Sequence, residues 1–138
     1  MKNSEILIDY AMSFLGVHYK WGGNNRLEGL DCSGFIQEIL RSVGLDPKGD
    51  QTAQDIYNVL CKEDWRSHLD TGSLLFFGES RYEISHIALA LNEFLMIEAG
   101  GGNSKTKTIE DSIRDNAMVR IRPIKNRGDL VAVIKPNF

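Results

Sequence analysis

The apolar positions near the start of the chain, in MKNSEILIDYAMSFLG, are Ile6, Leu7, Ala11, Phe14 and Leu15. They recur at the spacing of one helix face and predict a helix over 4–15 that stops at Gly16. The next stretch, VHYKWGGNNRLEGL, carries Gly-Gly and Asn-Asn pairs, which mark turns. Beyond Asp31 the helical spacing returns at Phe35, Ile36, Ile39, Leu40 and Val43, and Gly44 stands where a left-handed residue would close that helix. A third helix is predicted over 52–60. From Ser73 the period changes. SLLFF is a continuous apolar run, as in a buried strand, and SHIALAL and FLMIEA flank Asn92-Glu93 as the arms of a hairpin. GGGN reads as a loop, AMVRIRPI alternates apolar and basic residues, and DLVAVIKP forms a last strand. Helices first and antiparallel strands afterwards predict an α+β domain over 1–138, without repeats, linkers or low-complexity tracts.

Composition narrows the function classes. With 42% apolar and 25% charged residues in 138, the chain has the make-up of a globular domain. The net charge of −3 comes with no basic stripe, so nucleic acid is not an expected partner. No segment is long and apolar enough to span a membrane, and Glu5 and Asp9 break the apolar run that a secretory signal would need. The two cysteines, Cys32 and Cys61, lie in different surroundings without close Cys/His pairs, so neither a zinc site nor another metal centre is expected. A Cys32–Cys61 disulfide is the minor reading.

Candidate chemistry centres on Asp31-Cys32-Ser33-Gly34-Phe35. A free cysteine is often a small buried apolar residue. Cys32, however, falls in the first turn of the second helix, where exposed N–H groups and the helix dipole favour a thiolate and could hold an oxyanion. A nucleophile there needs a base. Of the three histidines, His18 sits in the turn-rich loop and His68 lies in the polar stretch KEDWRSHLD, where a solvated surface residue is expected. His86 opens the apolar strand SHIALAL. It is either a hydrogen-bonded core residue or, paired with Cys32, the base. Glu98, twelve residues on, could orient the imidazole. With a two-residue turn, Ile87 would oppose Glu98, and His86 and Glu98 would lie on opposite faces. With a three-residue loop, 91–93, His86 would pair with Glu98 on one face.

These residues resemble a known family. YKWGG followed by LDCSGFIQEILRSVGL, and then SLLFFGESRYEISHIALALNEFLMIEAGGG, is similar to the NlpC-type cell-wall cysteine peptidases, over about Ile6 to Lys135. The resemblance implies a papain-like α+β fold, with the nucleophile at a helix N-terminus packed on an antiparallel sheet of about five strands. It implies Cys32 as nucleophile and His86 as base. The third catalytic position, usually a second histidine or another polar residue, is Glu98 here. By the same resemblance Tyr19, Asp31 and Ser33 match a pocket for the free amine of an N-terminal L-alanine. Asp31 and Ser33 could equally serve only the helix start. Trp21 is expected either to wall the cleft or to pack in the core.

The expectation is therefore a peptidase acting on peptidoglycan stem peptides at the γ-D-glutamyl-diaminopimelate bond, requiring no metal or organic cofactor. The rivals are a cell-wall amidase, another papain-like amide hydrolase or acyltransferase, and a degenerate module that only binds wall peptides. With no visible signal peptide, a phage-associated setting is the leaning, beside effector delivery and a cytosolic recycling role.

Overall fold

The computed structural model of the chain describes residues 2–45, 48–61 and 69–137. Among these the helices are α1 (Asn3–Met12), α2 (Cys32–Arg41), α3 (Ala53–Leu60) and α4 (Ile109–Asp115), with a 3-10 turn at Ile124–Asn126. The strands are β1 (Asn24–Asn25), β2 (Gly29–Leu30), β3 (Leu74–Ser80), β4 (Glu83–Ala90), β5 (Leu95–Gly100), β6 (Met118–Pro123) and β7 (Leu130–Ile134). β3 to β7 form one antiparallel sheet in the order β6-β5-β4-β3-β7, and β1 and β2 make a separate short hairpin. No helix among the described residues is long and apolar enough to cross a membrane.

The predicted spacing explains how the layers meet. α2 buries Phe35, Ile36, Ile39 and Leu40 against α1, α3 and one face of the sheet. Phe14 meets Phe35 edge-on at 5.7 Å, and Tyr57 meets Phe76 at 5.3 Å. Leu74, Phe76, Ile87, Leu89, Ile97, Ala99 and Val119 supply the sheet side of this core. Each such large side chain contributes about 1.5–3 kcal/mol when fully buried. The alternate residues Leu75, Phe77, Ala88, Ala90 and Met96 form a second core with Ile124. Gly44 is left-handed at φ +73°, as its place after α2 predicts.

Two expectations change. α4 was not predicted: Ile109 and Ile113 are exposed, so it has no apolar stripe to betray it. Its signal is the cap, in which Thr108 and Asp111 exchange side-chain and backbone hydrogen bonds. The hairpin also has a different register. Leu89 pairs with Ile97 and Ala90 with Met96, so the three-residue loop is 92–94, not 91–93. Asn92 sets it, its Oδ1 accepting the N–H groups of Phe94 and Leu95, both at 2.8 Å.

The loop between α1 and α2 ties the two layers together. His18 bridges to Met118 on β6, the Tyr19 N–H donates to the Ala117 carbonyl, and the Asp31 N–H donates to the Gly23 carbonyl.

Candidate active site

The tip of α2 is built locally. Asp31 is its N-cap: Oδ1 accepts the Gly34 N–H at 2.7 Å and the Ser33 hydroxyl at 3.2 Å. Oδ2 accepts the Gly22 N–H at 3.1 Å. Burial raises the Asp31 pKa above its ordinary value, although all three hydrogen bonds pull the other way. Asp31 and Ser33 thus serve the helix start, as the simpler of the two readings holds, while both still line the cleft beside Cys32. The Tyr19 ring is buried on the backbone of Gly102. Burial, then the neighbouring Cys32 and Asp31, raise its phenol pKa, so the hydroxyl keeps its proton.

The facing wall is built by strand register. Continuing the β4–β5 pairing sets Ala88 opposite Glu98 and His86 opposite Gly100. His86 and Glu98 are therefore not the directly opposed pair expected from the sequence. They remain on one face, and the longer glutamate reaches diagonally to place Oε1 2.8 Å from His86 Nε2. Cys32 also acts on the His86 ring, and both line the cleft. Burial pushes the His86 pKa down, but the hydrogen bonds to Cys32 and Glu98 outweigh it and lift the value from 6.5 to about 9. Glu98 is 1% exposed. Burial pushes it up, and His86 followed by Arg120 hold it below the ordinary carboxylate range.

Three arginines surround this pair. Arg120, the cross-strand partner of Glu98 on β6, brings Nε to 3.2 Å from Glu98 Oε2, and Arg122 approaches the same oxygen at 3.7 Å. Arg127 is forked onto Asp129 at 2.9 and 2.8 Å and lies over the Phe77 ring, which itself stands 5.7 Å from the His86 ring. These residues enclose a cleft of about 750 Å³ between the α2 tip and the sheet. Trp21 lines it and is 52% exposed, so it is a cleft residue and not part of the core.

The structure brings Tyr19, Trp21, Asp31, Cys32, Ser33, His86 and Glu98 to one cleft. It leaves His18 in a backbone bridge with its ring against Gly29. His68 lies outside the described residues. Cys32 and Cys61, the latter at the end of α3, form no disulfide, so the disulfide reading is overturned. Sequence reasoning missed Arg120 and Arg122 at the site. Their alternation in AMVRIRPI predicts a strand, and nothing in it tells that its basic face is a cleft wall.

Helices over an antiparallel sheet, with a cysteine at a helix tip against a sheet histidine, define the papain-like α+β arrangement. Within it the chain belongs to the NlpC/P60 family, whose model matches residues 16–123. It is 32% identical over 95 residues to the gamma-D-glutamyl-L-lysine dipeptidyl-peptidase of Bacillus cereus, a match covering 67% of this chain and 27% of that protein. The chain thus spans about a quarter of that relative. Among solved structures, an NlpC/P60 family protein from Bacillus cereus matches with a TM-score of 0.71 at 24% identity, over 96% of this chain and 40% of the other. RipD of Mycobacterium tuberculosis, described as a non-catalytic NlpC/p60 domain protein adapted to peptidoglycan binding, matches with a TM-score of 0.71 at 19% identity, over 100% of this chain and 99% of the other.

Proposed function

We propose that this protein is a cysteine peptidase that hydrolyses an amide bond in peptidoglycan stem peptides, at the bond following γ-D-glutamate in a peptide with a free N-terminal L-alanine. The observation that carries the reading is the placing of Cys32, His86 and Glu98 in one cleft, with His86 Nε2 2.8 Å from Glu98 Oε1. The sulfur of Cys32 attacks the carbonyl carbon, its proton having passed to His86 Nδ1. The Gly34 N–H is already taken by Asp31, which leaves the N–H groups of Cys32 and Ser33 at the helix start to stabilise the developing oxyanion. His86 then gives its proton to the leaving amine as the amide C–N bond breaks, leaving a thioester. Water adds to the thioester with His86 as base, and the carboxylic product and free thiol are released. Glu98 holds the imidazolium in line throughout.

The substrate class follows from the opposite side of the nucleophile. Asp31, Ser33 and Tyr19 offer a carboxylate and two hydroxyls beside Cys32, which suits an ammonium group two residues from the scissile bond. The Bacillus cereus relative carries γ-D-glutamyl-L-lysine in its name, which supports the same bond. A muramoyl-alanine amidase fits less well, because in its substrate that amine is still acylated. RipD keeps the binding-module reading in view, and the presence of both Cys32 and His86 in the cleft favours the peptidase.

The test pairs L-Ala-γ-D-Glu-L-Lys with its N-acetylated form and identifies products by mass spectrometry. The free-amine peptide is expected to be cut after γ-D-glutamate at least about 10-fold faster, the scale of one charge-assisted hydrogen bond. Asp31→Asn, which keeps a good helix cap but loses the charge, is expected to erase that preference. Equal cleavage of both peptides would overturn the amine pocket, and binding without cleavage would favour the non-catalytic module.

A further inference from the structure

A glutamate at the third position carries requirements that a neutral residue would not. Its buried charge must be matched, and its longer side chain must be steered to the imidazole. The sheet meets both needs with two neighbours of Glu98, Arg120 and Gly100. Arg120 lies directly across β6 from Glu98, so the register that delivers the carboxylate also delivers its counter-charge, Nε to Oε2 at 3.2 Å. The Arg120 guanidinium is held in turn by the Asn116 carbonyl at 3.4 Å. Gly100 lies under the diagonal that Glu98 takes. A Cβ there would stand 2.5 Å from Oε2, 2.9 Å from Cδ and 3.2 Å from Arg120 Nη2. Any side chain at 100 would push the carboxylate off the line between Arg120 and His86. Arg122, at 3.7 Å and without a hydrogen bond to Glu98, does not fix the carboxylate in this way.

We propose that Arg120 and Gly100 are positioning residues that let a glutamate complete the site: Arg120 keeps Glu98 ionised and aimed, and Gly100 leaves the space through which it reaches His86. The catalytic consequence rests on the peptidase reading above, and the geometric claim can be tested without it.

The two residues act on different titrations. Losing Arg120 removes a positive neighbour from Glu98, so the carboxyl takes up its proton at higher pH and the acidic limb of activity moves up. Displacing Glu98 with Gly100→Ala removes a hydrogen bond that raises His86, so the basic limb moves down from about 9. Peptide hydrolysis is measured against pH for the wild type, Arg120→Met, Arg120→Lys and Gly100→Ala, with NMR titration of the His86 ring and the Glu98 carboxyl in the same proteins. Arg120→Met is expected to lower kcat about 10-fold, the worth of one charged hydrogen bond, and Arg120→Lys by less. In a Glu98→Gln background Arg120→Met should cost less than about 2-fold, and in a Glu98→Ala background Gly100→Ala should cost equally little. Equal losses with and without Glu98, or unchanged NMR titrations in folded variants, would overturn the proposal. If the wild type cuts no peptide the peptidase reading fails, and the two NMR titrations still decide this inference.

Discussion

The two walls of the cleft are made by different kinds of information. The α2 wall is local: Asp31, Cys32, Ser33 and Gly34 adjoin in the chain, and the cap hydrogen bonds among them form whenever the helix does. The sheet wall is assembled from β4, β5 and β6, and His86, Glu98, Gly100 and Arg120 meet only if two strand registers are correct. A one-residue slip on β5 would turn Glu98 to the other face. Cys32 therefore sits on a robust element, and the placing of His86 depends on long-range pairing.

Breaking the sheet wall at its centre should have the larger effect. His86→Ala removes the proposed base and is expected to lower kcat by at least about 1,000-fold, as loss of a triad base does elsewhere, with the far-ultraviolet circular dichroism retained. Glu98→Gln keeps the shape and a weaker hydrogen bond. It should cost about 10- to 100-fold and bring the basic limb of the pH profile down from about 9 towards 6.5, read from kcat/KM against pH.

The same wall leaves a mark on stability. His86 binds its proton more tightly in the folded chain, so its contribution is complete below about pH 6.5 and is lost as pH rises through about 9. Denaturant midpoints across that window should fall in the wild type and flatten in Glu98→Gln.

Changes to the local wall other than at Cys32 should be milder and of another kind. Asp31→Ala, unlike Asp31→Asn, removes the cap of α2 and should lower stability by about 0.5–2 kcal/mol in urea titrations. At the small end, Thr108→Ala uncaps α4, away from the cleft. It should cost about 1 kcal/mol and leave kcat/KM unchanged, which separates a capping loss from a site loss.

The same division explains what could be read in the sequence. Cys32 at a helix start was legible because the acid, the small residues and the apolar spacing behind them are neighbours. The hairpin was legible too, but its parity stood open between a two-residue turn and a three-residue loop, and only the second places His86 and Glu98 on one face. The register was not, because it turns on which residue opens the loop, and only the Asn92 side chain closing on Phe94 and Leu95 decides that. Arg120 and Gly100 stayed hidden for a related reason. An arginine in an alternating strand ordinarily faces solvent, and a glycine after a strand ordinarily begins a loop. Each takes its part in the site only once a neighbouring strand is laid beside it. α4 escaped because its two isoleucines remain exposed, so burial never imposed a periodic pattern.

The most direct test of the central claim compares wild-type protein with Cys32→Ala on purified muropeptides, with products identified by mass. The account predicts release of L-Ala-γ-D-Glu by the wild type and none by Cys32→Ala at equal fold stability. Cleavage that persists in Cys32→Ala, or a wild type that binds the peptides and releases nothing, would contradict it.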